Sequence, residues 1–177
     1  IDEDDKEYCG TGIPKFETNL NFSASYKGFD LSFSLSGVFG HKIYNGNRYF
    51  YESMNAPINM LSTVVNAWTP ENTHTDIPRA VNGDPNGNSR ESERFLENGS
   101  FVRLRQAQIG YTLPVSLLKK VKIEKLRFYI SGDNLFTITG YSGVDPEFST
   151  SSPLNSGVDR YIYPFTRSYT VGAQLTF

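Results

Sequence analysis

A strict alternation of polar and apolar residues over positions 18 to 39 constrains the fold of this chain more than any other feature. The first run is TNLNFSASY and the second is FDLSFSLSGVF, with only Lys27 and Gly28 between them. A period of two is typical of β-strands, and a two-residue connection is typical of a hairpin. The two runs predict an antiparallel hairpin with one apolar face and one face of serine and asparagine.

The same alternation predicts three further strands. The five predicted strands cover about 18–26, 29–39, 101–111, 126–136 and 168–177. Each has about the 9–11 residues that a tilted strand needs to cross a bilayer. The third strand requires a bulge, because Val102 and Leu104 alternate out of phase with Ile109 and Tyr111. We therefore predict an all-β chain that forms part of a transmembrane antiparallel β-barrel.

The connections between the predicted strands alternate in length. Those at 27–28 and 112–125 are short, and a helical turn is expected after Pro114. Those at 40–100 and 137–167 are long, and INMLSTVVNAW in the first of them favours a short helix. Outer-membrane barrels have short periplasmic turns and long extracellular loops. We therefore expect the last strand to end at the periplasmic rim and both long loops to be extracellular.

The number of predicted strands limits what this chain can form alone. Bacterial single-chain barrels have an even number of strands, and an unpaired strand edge in lipid is costly. Five strands do not close such a barrel. We expect residues 1–177 to be the C-terminal part of something larger.

Composition argues against several classes of function. A formal net charge of −2 gives no electrostatic preference for nucleic acid, so we expect no nucleic-acid partner. No apolar run reaches the roughly 18 residues of a spanning helix. Cys9 has no second cysteine for an internal disulfide, and no cysteine or histidine neighbours it to hold a metal. We predict neither a cofactor nor a metal site.

Few residues suit catalysis. His41 and His74 are the only histidines, and the sequence around them does not place a serine or cysteine nucleophile together with a carboxylate as a triad would require. Asp145 and Glu147 flank a proline, which favours a loop turn over an acid/base pair. We predict that the chain is not an enzyme.

One stretch imitates a calcium-binding loop. DPNGN places Asp84, Asn86 and Asn88 at alternate positions, as such a loop does. Ser89 stands where the loop requires glycine, and Phe95 stands where it requires a bidentate glutamate. A Gly/Asn turn is the preferred interpretation, and calcium binding is the alternative.

Five blocks in chain order carry a resemblance to a known family. They are GIPKFETNLNFSASYKGFDLSFSLSGVFG, WTPENTHTDIPR, ENGSFVRLRQAQIGYTLP, LRFYISGDNLFTITGYSGVDPE and YPFTRSYTVGAQLTF. The blocks cover most of the sequence. Together they resemble the C-terminal end of SusC/RagA-type TonB-dependent outer-membrane transporters.

The resemblance implies a barrel of roughly 22 strands, plugged by an N-terminal domain. It also implies a SusD-like surface lipoprotein over the extracellular mouth, energy from TonB, and import of an oligosaccharide or, in some members, a peptide. The implied location is the outer membrane of a Gram-negative bacterium, where the rest of the barrel, the plug and lipid surround the chain. This sequence has no plug and no TonB-contacting segment, so it is either a fragment or one piece of a split or cleaved transporter.

One run of the first long loop contains the aromatic and planar polar groups that stack on sugar rings or anchor protein interfaces. The candidates for substrate or partner contact are Tyr44, Asn45, Asn47, Arg48, Tyr49 and Tyr51. Packing within the loop is the third interpretation of this run. Separately, the inward-facing Arg103, Arg105 and Arg127 are expected to pair with carboxylates of the plug.

The last predicted strand, SYTVGAQLTF, has an outward face that should contact lipid. The residues of this face are Tyr169, Val171, Ala173, Leu175 and Phe177. This alternation with a terminal aromatic residue resembles the signal that the barrel-assembly machinery reads in outer-membrane proteins. We therefore expect the strand to act in barrel assembly.

Two other folds share the alternating pattern. A soluble carbohydrate-binding β-sandwich would bury the aromatic face as its core. A barrel would instead expose that face to lipid, including Phe22, Phe29, Phe33, Phe128 and Phe177. A passive porin-like barrel is the third possibility, and only the family resemblance argues against it.

Overall fold

A computed structural model describes residues 3–119, 123–148 and 155–177 of the chain. The strands in these ranges are β1 (Phe16–Tyr26), β2 (Phe29–Phe39), β3 (Lys42–Asn45), β4 (Leu96–Asn98), β5 (Phe101–Thr112), β6 (Lys125–Thr139), β7 (Val158–Asp159) and β8 (Ser168–Thr176). The chain divides into two compact units. We call residues 14–40, 100–140 and 164–177 the sheet unit, and residues 1–13, 41–99 and 141–163 the loop unit.

The helical elements are short. They are α1 (Gly46–Tyr51), α2 (Val115–Leu118) and the 3₁₀ turns Glu3–Asp5, Ser62–Asn66 and Glu93–Phe95. The short helix predicted within 58–68 is thus a single 3₁₀ turn, and the helical turn predicted after Pro114 is α2. None of the helices in the described ranges has the length and apolar character needed to span a membrane.

The sheet unit is one antiparallel sheet with the strand order β1-β2-β5-β6-β8. Its first strand begins two residues before the predicted position 18, because Phe16 and Glu17 pair with the end of β2. β6 continues three residues past the predicted position 136, and β8 ends at Thr176, one residue before Phe177. Within the described chain β1 and β8 each have one neighbour, so the sheet is open.

A tight turn joins β1 to β2. Lys27 and Gly28 have φ angles of 48° and 87°, the left-handed values that a two-residue hairpin turn of the primed type requires. A Cβ at Gly28 would also lie 2.7 Å from the carbonyl oxygen of Thr112. Backbone conformation and space therefore both require glycine at the second turn position.

The register of the sheet aligns apolar residues of all five strands on one face. One row across the strands consists of Ala24, Leu31, Ile109, Ile130 and Val171. The next row of this face consists of Tyr26, Phe29, Tyr111, Phe128 and Ala173. Most of the large side chains in these rows are exposed, since no second layer of the sheet unit covers them in the described residues.

The exposure of the aromatic face distinguishes the barrel from the sandwich. Phe22, Phe29, Phe128 and Phe177 are between 46% and 82% exposed, and Phe33 is half-buried against the ring of Phe22. A sandwich would have buried these side chains in its core. The sheet therefore has the one-sided apolar surface that a lipid-facing barrel wall needs.

The bulge predicted in the third strand is confirmed. The pairing of β5 with both neighbours skips Arg105, so that Leu104 and Gln106 are the flanking partners. Arg105 consequently reaches the polar face, where its Nε donates to Ser36 Oγ at 2.7 Å. The extra residue brings the two halves of the strand into phase on the apolar face.

Arginines on the polar face have partners within the sheet unit. Arg127 Nε donates to Asp30 Oδ2 at 2.9 Å. This ion pair joins β6 to β2 across the intervening strand β5. Arg103 donates to Thr137 Oγ1 at 2.9 Å. Arg127 thus has a carboxylate partner in its own sheet, so its position needs no plug carboxylate.

The loop unit contains a second, small sheet with the order β4-β3-β7. β3 pairs antiparallel with β4 and parallel with β7. The strands are only four, three and two residues long, and sequence alternation did not predict them. Ile43 and Phe95 are fully buried and form the apolar centre of this unit.

Candidate functional site

The run predicted to contact substrate or a partner lies on β3 and α1 of the loop unit. Asn45 is almost fully buried and caps α1, because its Oδ1 accepts a hydrogen bond from the backbone N–H of Arg48 at 3.0 Å. A Cβ at the next residue, Gly46, would lie 2.6 Å from the carbonyl oxygen of Asp159. This close approach requires glycine at the start of the helix.

A buried carboxylate, Glu52, joins three segments of the loop unit. Its side chain is 1% exposed. Arg48 donates to both of its oxygens at 3.1 Å, and Arg94 donates to Oε2 at 3.2 Å. Thr63 adds a hydrogen bond from its hydroxyl at 2.9 Å. Such bidentate, charge-assisted contacts fix geometry as well as neutralise charge.

A second carboxylate, Glu97, extends the same network. Its Oε1 accepts from Arg48 at 3.0 Å and from Asn45 at 3.1 Å, and both of its oxygens accept from Ser142 at 2.7 Å. Burial raises the pKa of Glu97, but these hydrogen bonds more than offset it and lower the pKa below the usual value. Glu97 is therefore held ionised at neutral pH.

Aromatic rings of the same run pack inside the unit. Tyr49 meets the ring of Phe95 edge-on at 5.5 Å, and Tyr44 lies 6.1 Å from Tyr49 and 6.2 Å from Phe95. The hydroxyl of Tyr44 is buried and has no hydrogen-bond partner among the described residues. Burial, with a contribution from Glu91, raises the pKa of Tyr44 to about 12.

A different group contains two exposed aromatic rings, those of Phe50 and Tyr161, and the half-buried ring of Tyr51. Phe50, Tyr51 and Tyr161 meet edge-on, with ring centres 5.2 to 6.1 Å apart. Tyr161 has a φ of 58°, a conformation that non-glycine residues seldom adopt, and its N–H donates to Asn47 Oδ1 at 3.1 Å. Strained residues held in place by their surroundings are concentrated at functional sites. We call these three residues the exposed aromatic cluster.

The structure thus divides the six predicted contact residues. Asn45 and Arg48 use their polar groups within the loop unit, and Tyr44 and Tyr49 pack around Phe95. Asn47 positions Tyr161, and Tyr51 belongs to the exposed aromatic cluster. Asn47 and Tyr51 are half-buried and adjoin the exposed rings of Phe50 and Tyr161. Their role in contact with another molecule stays a prediction.

The carboxylate considered for calcium binding, that of Asp84, has protein partners. Asp84 accepts hydrogen bonds from the backbone N–H groups of Asn88 and Ser89 at 2.7 Å, and also from the Ser89 hydroxyl. These contacts close the Gly/Asn turn around its carboxylate. In the described ranges no three His, Cys, Asp or Glu side chains gather as metal ligands would.

Comparison with known proteins gives matches along nearly the whole chain. No protein-family model matches it. TonB-dependent receptor P3 of Formosa agariphila is 35% identical over 98% of the chain, and SusC of Bacteroides thetaiotaomicron is 26% identical over all of it. The RagAB peptide importer in its closed-closed state matches 96% of the chain with a TM-score of 0.81 and 32% identity. The chain belongs to the SusC/RagA-type TonB-dependent receptors.

The matched segment is a small part of each relative. The chain spans 17% of receptor P3, 16% of SusC and 18% of the RagAB importer chain. For a TonB-dependent receptor this means that the five-stranded sheet is a fragment of a larger barrel. The predicted resemblance, the fold class and the outer-membrane location are confirmed at this level.

The known proteins that match the segment also indicate whether they are enzymes. The relatives of this TonB-dependent receptor segment are receptors and transporters rather than enzymes, in agreement with the prediction from its scattered histidines and carboxylates.

Two features of the receptor segment escaped sequence reasoning. Glu52 and Glu97 organise the loop unit, yet in the sequence they are ordinary acidic residues of a long loop. The only local signal was the spacing of Arg48 and Glu52, which are four residues apart on a helical turn. Tyr161 joins a cluster whose other members lie more than 100 positions earlier, so no local pattern indicated it.

Proposed function

We propose that the protein containing this segment imports an oligosaccharide or a peptide across the outer membrane, with energy delivered by TonB. A SusD-like surface lipoprotein is the proposed partner, and a plug domain and the remainder of a barrel of roughly 22 strands complete the transporter. The similarity of nearly the whole segment to a chain of the RagAB peptide importer carries this proposal. Residues 1–177 would form its C-terminal part.

The connections of the sheet support an orientation for the segment. The turn at Lys27 and Gly28 and the connection from β5 to β6 leave one end of the sheet, whereas both long connections leave the other end. Outer-membrane barrels keep their long loops outside the cell. We therefore propose that the loop unit is extracellular and that β8 ends at the periplasmic rim.

Import by cells with and without the complete transporter tests the proposal. Labelled peptides and labelled oligosaccharides would be offered to a deletion strain and to the complemented strain. We expect accumulation to require the transporter gene and to stop when an uncoupler collapses the proton gradient. Accumulation that survives the uncoupler would favour a passive porin-like barrel, and accumulation independent of the gene would contradict the proposal.

The exposed aromatic cluster is the proposed contact surface for the nutrient or for the partner lipoprotein. Tyr51→Ala and Tyr161→Asn in the complete transporter each remove one ring, and asparagine tolerates the positive φ at position 161. Loss of a stacked ring costs about 1 kcal/mol, so we expect the half-saturating nutrient concentration to rise roughly fivefold to tenfold. The measurement is initial import rate against nutrient concentration.

Tyr163 provides the matched control for this surface. It is 82% exposed, lies two residues from Tyr161 and is outside the cluster. Tyr163→Ala should leave the import curve unchanged. If all three variants behave like the unaltered transporter, the cluster is a packing feature of the loop unit and not a contact surface.

A further inference from the structure

Four asparagines of the loop unit are followed directly by glycine, at positions 45, 82, 86 and 98. Glycine has no side chain to shield its backbone nitrogen, so in this dipeptide the nitrogen can approach the amide carbon of the asparagine side chain. Loss of the amide then depends on the freedom of the asparagine side chain and of the glycine N–H. The structure ranks the four pairs, because they share a sequence and differ in these surroundings.

Buried hydrogen bonds restrain two of the pairs. Asn45 is almost fully buried, its Oδ1 accepts from the N–H of Arg48 at 3.0 Å, and its Nδ2 donates to Glu97 at 3.1 Å. Gly99, which follows position 98, is also buried, and its N–H donates to the carbonyl oxygen of His41 at 3.0 Å. In both pairs a group needed for the reaction is already engaged, so these bonds would have to break first.

The pair at positions 86 and 87 lies in an exposed turn that is held by hydrogen bonds. The N–H of Gly87 donates to the carbonyl oxygen of Asp84 at 2.9 Å. The Arg90 guanidinium donates to the carbonyl oxygens of Asn86 and Gly87, each at 2.7 Å. Asn86 is exposed, but the nitrogen that would attack its side chain is restrained.

Asn82 and Gly83 form the pair in which both groups are free. Both residues are exposed, and they occupy the middle of a turn closed by the N–H of Asp84 on the carbonyl oxygen of Val81 at 3.1 Å. Neither the Asn82 side chain nor the Gly83 N–H has a hydrogen-bond partner among the described residues. Gly83 has a φ of 76°, and a Cβ there would meet no atom within 4 Å. The backbone therefore has room to rotate and bring this nitrogen to the side chain of Asn82.

We propose that Asn82 and Gly83 form a deamidation site in the folded receptor, with water as the only co-reactant. The backbone nitrogen of Gly83 bonds to Cγ of Asn82, the bond from Cγ to Nδ2 breaks, and ammonia leaves with the proton of the glycine N–H. Water then opens the resulting cyclic imide. Opening at Cγ gives aspartate, and opening at the backbone carbonyl carbon gives isoaspartate. Neither step requires an oxidant or a reductant.

The conversion changes the charge of the loop unit. Both products replace a neutral amide by a carboxylate, and isoaspartate also adds one carbon atom to the backbone. Asn82 lies at an apolar hollow of about 320 Å³. The other residues that line this hollow are Met54, Ala56, Pro57, Ala80 and Val81. A receptor population therefore gains negative charge beside the hollow as it ages.

Peptide mapping of the complete purified receptor tests the site. The folded receptor is incubated at mildly alkaline pH, because base assists removal of the proton from the glycine N–H, and is then digested with pepsin at acid pH. Fragment ions in the mass spectrum measure conversion at each of the four asparagines. We expect Asn82 to convert about fivefold to tenfold faster than Asn86, since Gly87 must first break a hydrogen bond. Conversion at the two buried pairs should be slower still.

Two controls make the result specific. In receptor unfolded by denaturant before the incubation, the four pairs should convert at similar rates, because the surroundings that distinguish them are lost. Asn82→Gln keeps an amide but forms the larger cyclic imide much more slowly, so conversion at this position should disappear. Equal rates at Asn82 and Asn86 in the folded receptor would overturn the proposal. So would conversion at Asn82 only after unfolding, or conversion that persists in Asn82→Gln.

The site does not depend on the import proposal. Deamidation is measured on purified protein without a proton gradient, whereas import is measured in energised cells. An unreactive Asn82 therefore leaves the import test intact, and failure of import leaves this site to be judged on its conversion rate alone.

Discussion

Ile130→Arg is expected to prevent the receptor from accumulating in the outer membrane. Ile130 lies in the middle of the apolar face, paired with Ile109 and Val171, and it is 56% exposed. In a barrel wall this side chain faces lipid, where the cost of a charge rises toward the middle of the bilayer. An arginine there costs about 2–4 kcal/mol, enough to disfavour insertion of the strand. The measurement is the amount of folded receptor in the outer-membrane fraction, read from heat-modifiable mobility on a gel.

The next residue along β6 provides the matched control. Ser131 pairs with Gln108 and Thr170 on the polar face of the same strand. Ser131→Arg adds the same charge to the opposite face, and we expect near-normal membrane levels. Equal accumulation of both variants, or equal loss of both, would mean that the apolar face does not contact lipid.

The sheet unit was predictable because each of its strands carries its own signal. Alternation over nine to fifteen residues identifies a strand and its apolar face together, since a shift of one residue would exchange the faces. Even the bulge at Arg105 followed from the change of phase between Leu104 and Ile109. Strand ends were less certain, because pairing with a neighbour and not alternation decides where β1 begins and β6 ends.

The loop unit was not predictable in the same way. β3, β4 and β7 have two to four residues, too few for a periodic pattern. The parallel pairing of Tyr44 with Val158 joins positions more than 100 residues apart. Long-range contacts of this kind leave no trace in a local window.

The same lack of a local signal explains why the run from Tyr44 to Tyr51 was predicted to contact a substrate or a partner. Tyrosine, asparagine and arginine in a loop are typical of a surface that contacts other molecules. Arg48 is instead held by Glu97, a residue 49 positions later, and Asn45 meets Ser142, a residue 97 positions later. Burial of these polar groups depends on partners from other segments, so their residue types alone did not reveal it.

Glu52→Ala should destabilise the loop unit by about 3 kcal/mol or more. Removing one partner of a buried ion pair typically costs about 3–5 kcal/mol. The lower end of that range applies here, because the Arg94 and Arg48 side chains left behind are 18% and 27% exposed. Here Arg94 would lose its carboxylate, while Arg48 would keep only Glu97. We expect faster hydrogen exchange and faster protease cleavage of the segment around α1 in the complete receptor.

Glu91→Ala is the matched control for Glu52→Ala. Glu91 is in the same loop unit and also pairs with an arginine, but both partners are exposed and their charged atoms lie 3.6 Å apart. Exposed pairs contribute about 0–1 kcal/mol, so this variant should exchange and cleave like the unaltered receptor. If Glu52→Ala also exchanged and cleaved like the unaltered receptor, the buried carboxylate of Glu52 would contribute no more to stability than the exposed carboxylate of Glu91. The loop unit would then depend on its apolar centre around Ile43 and Phe95.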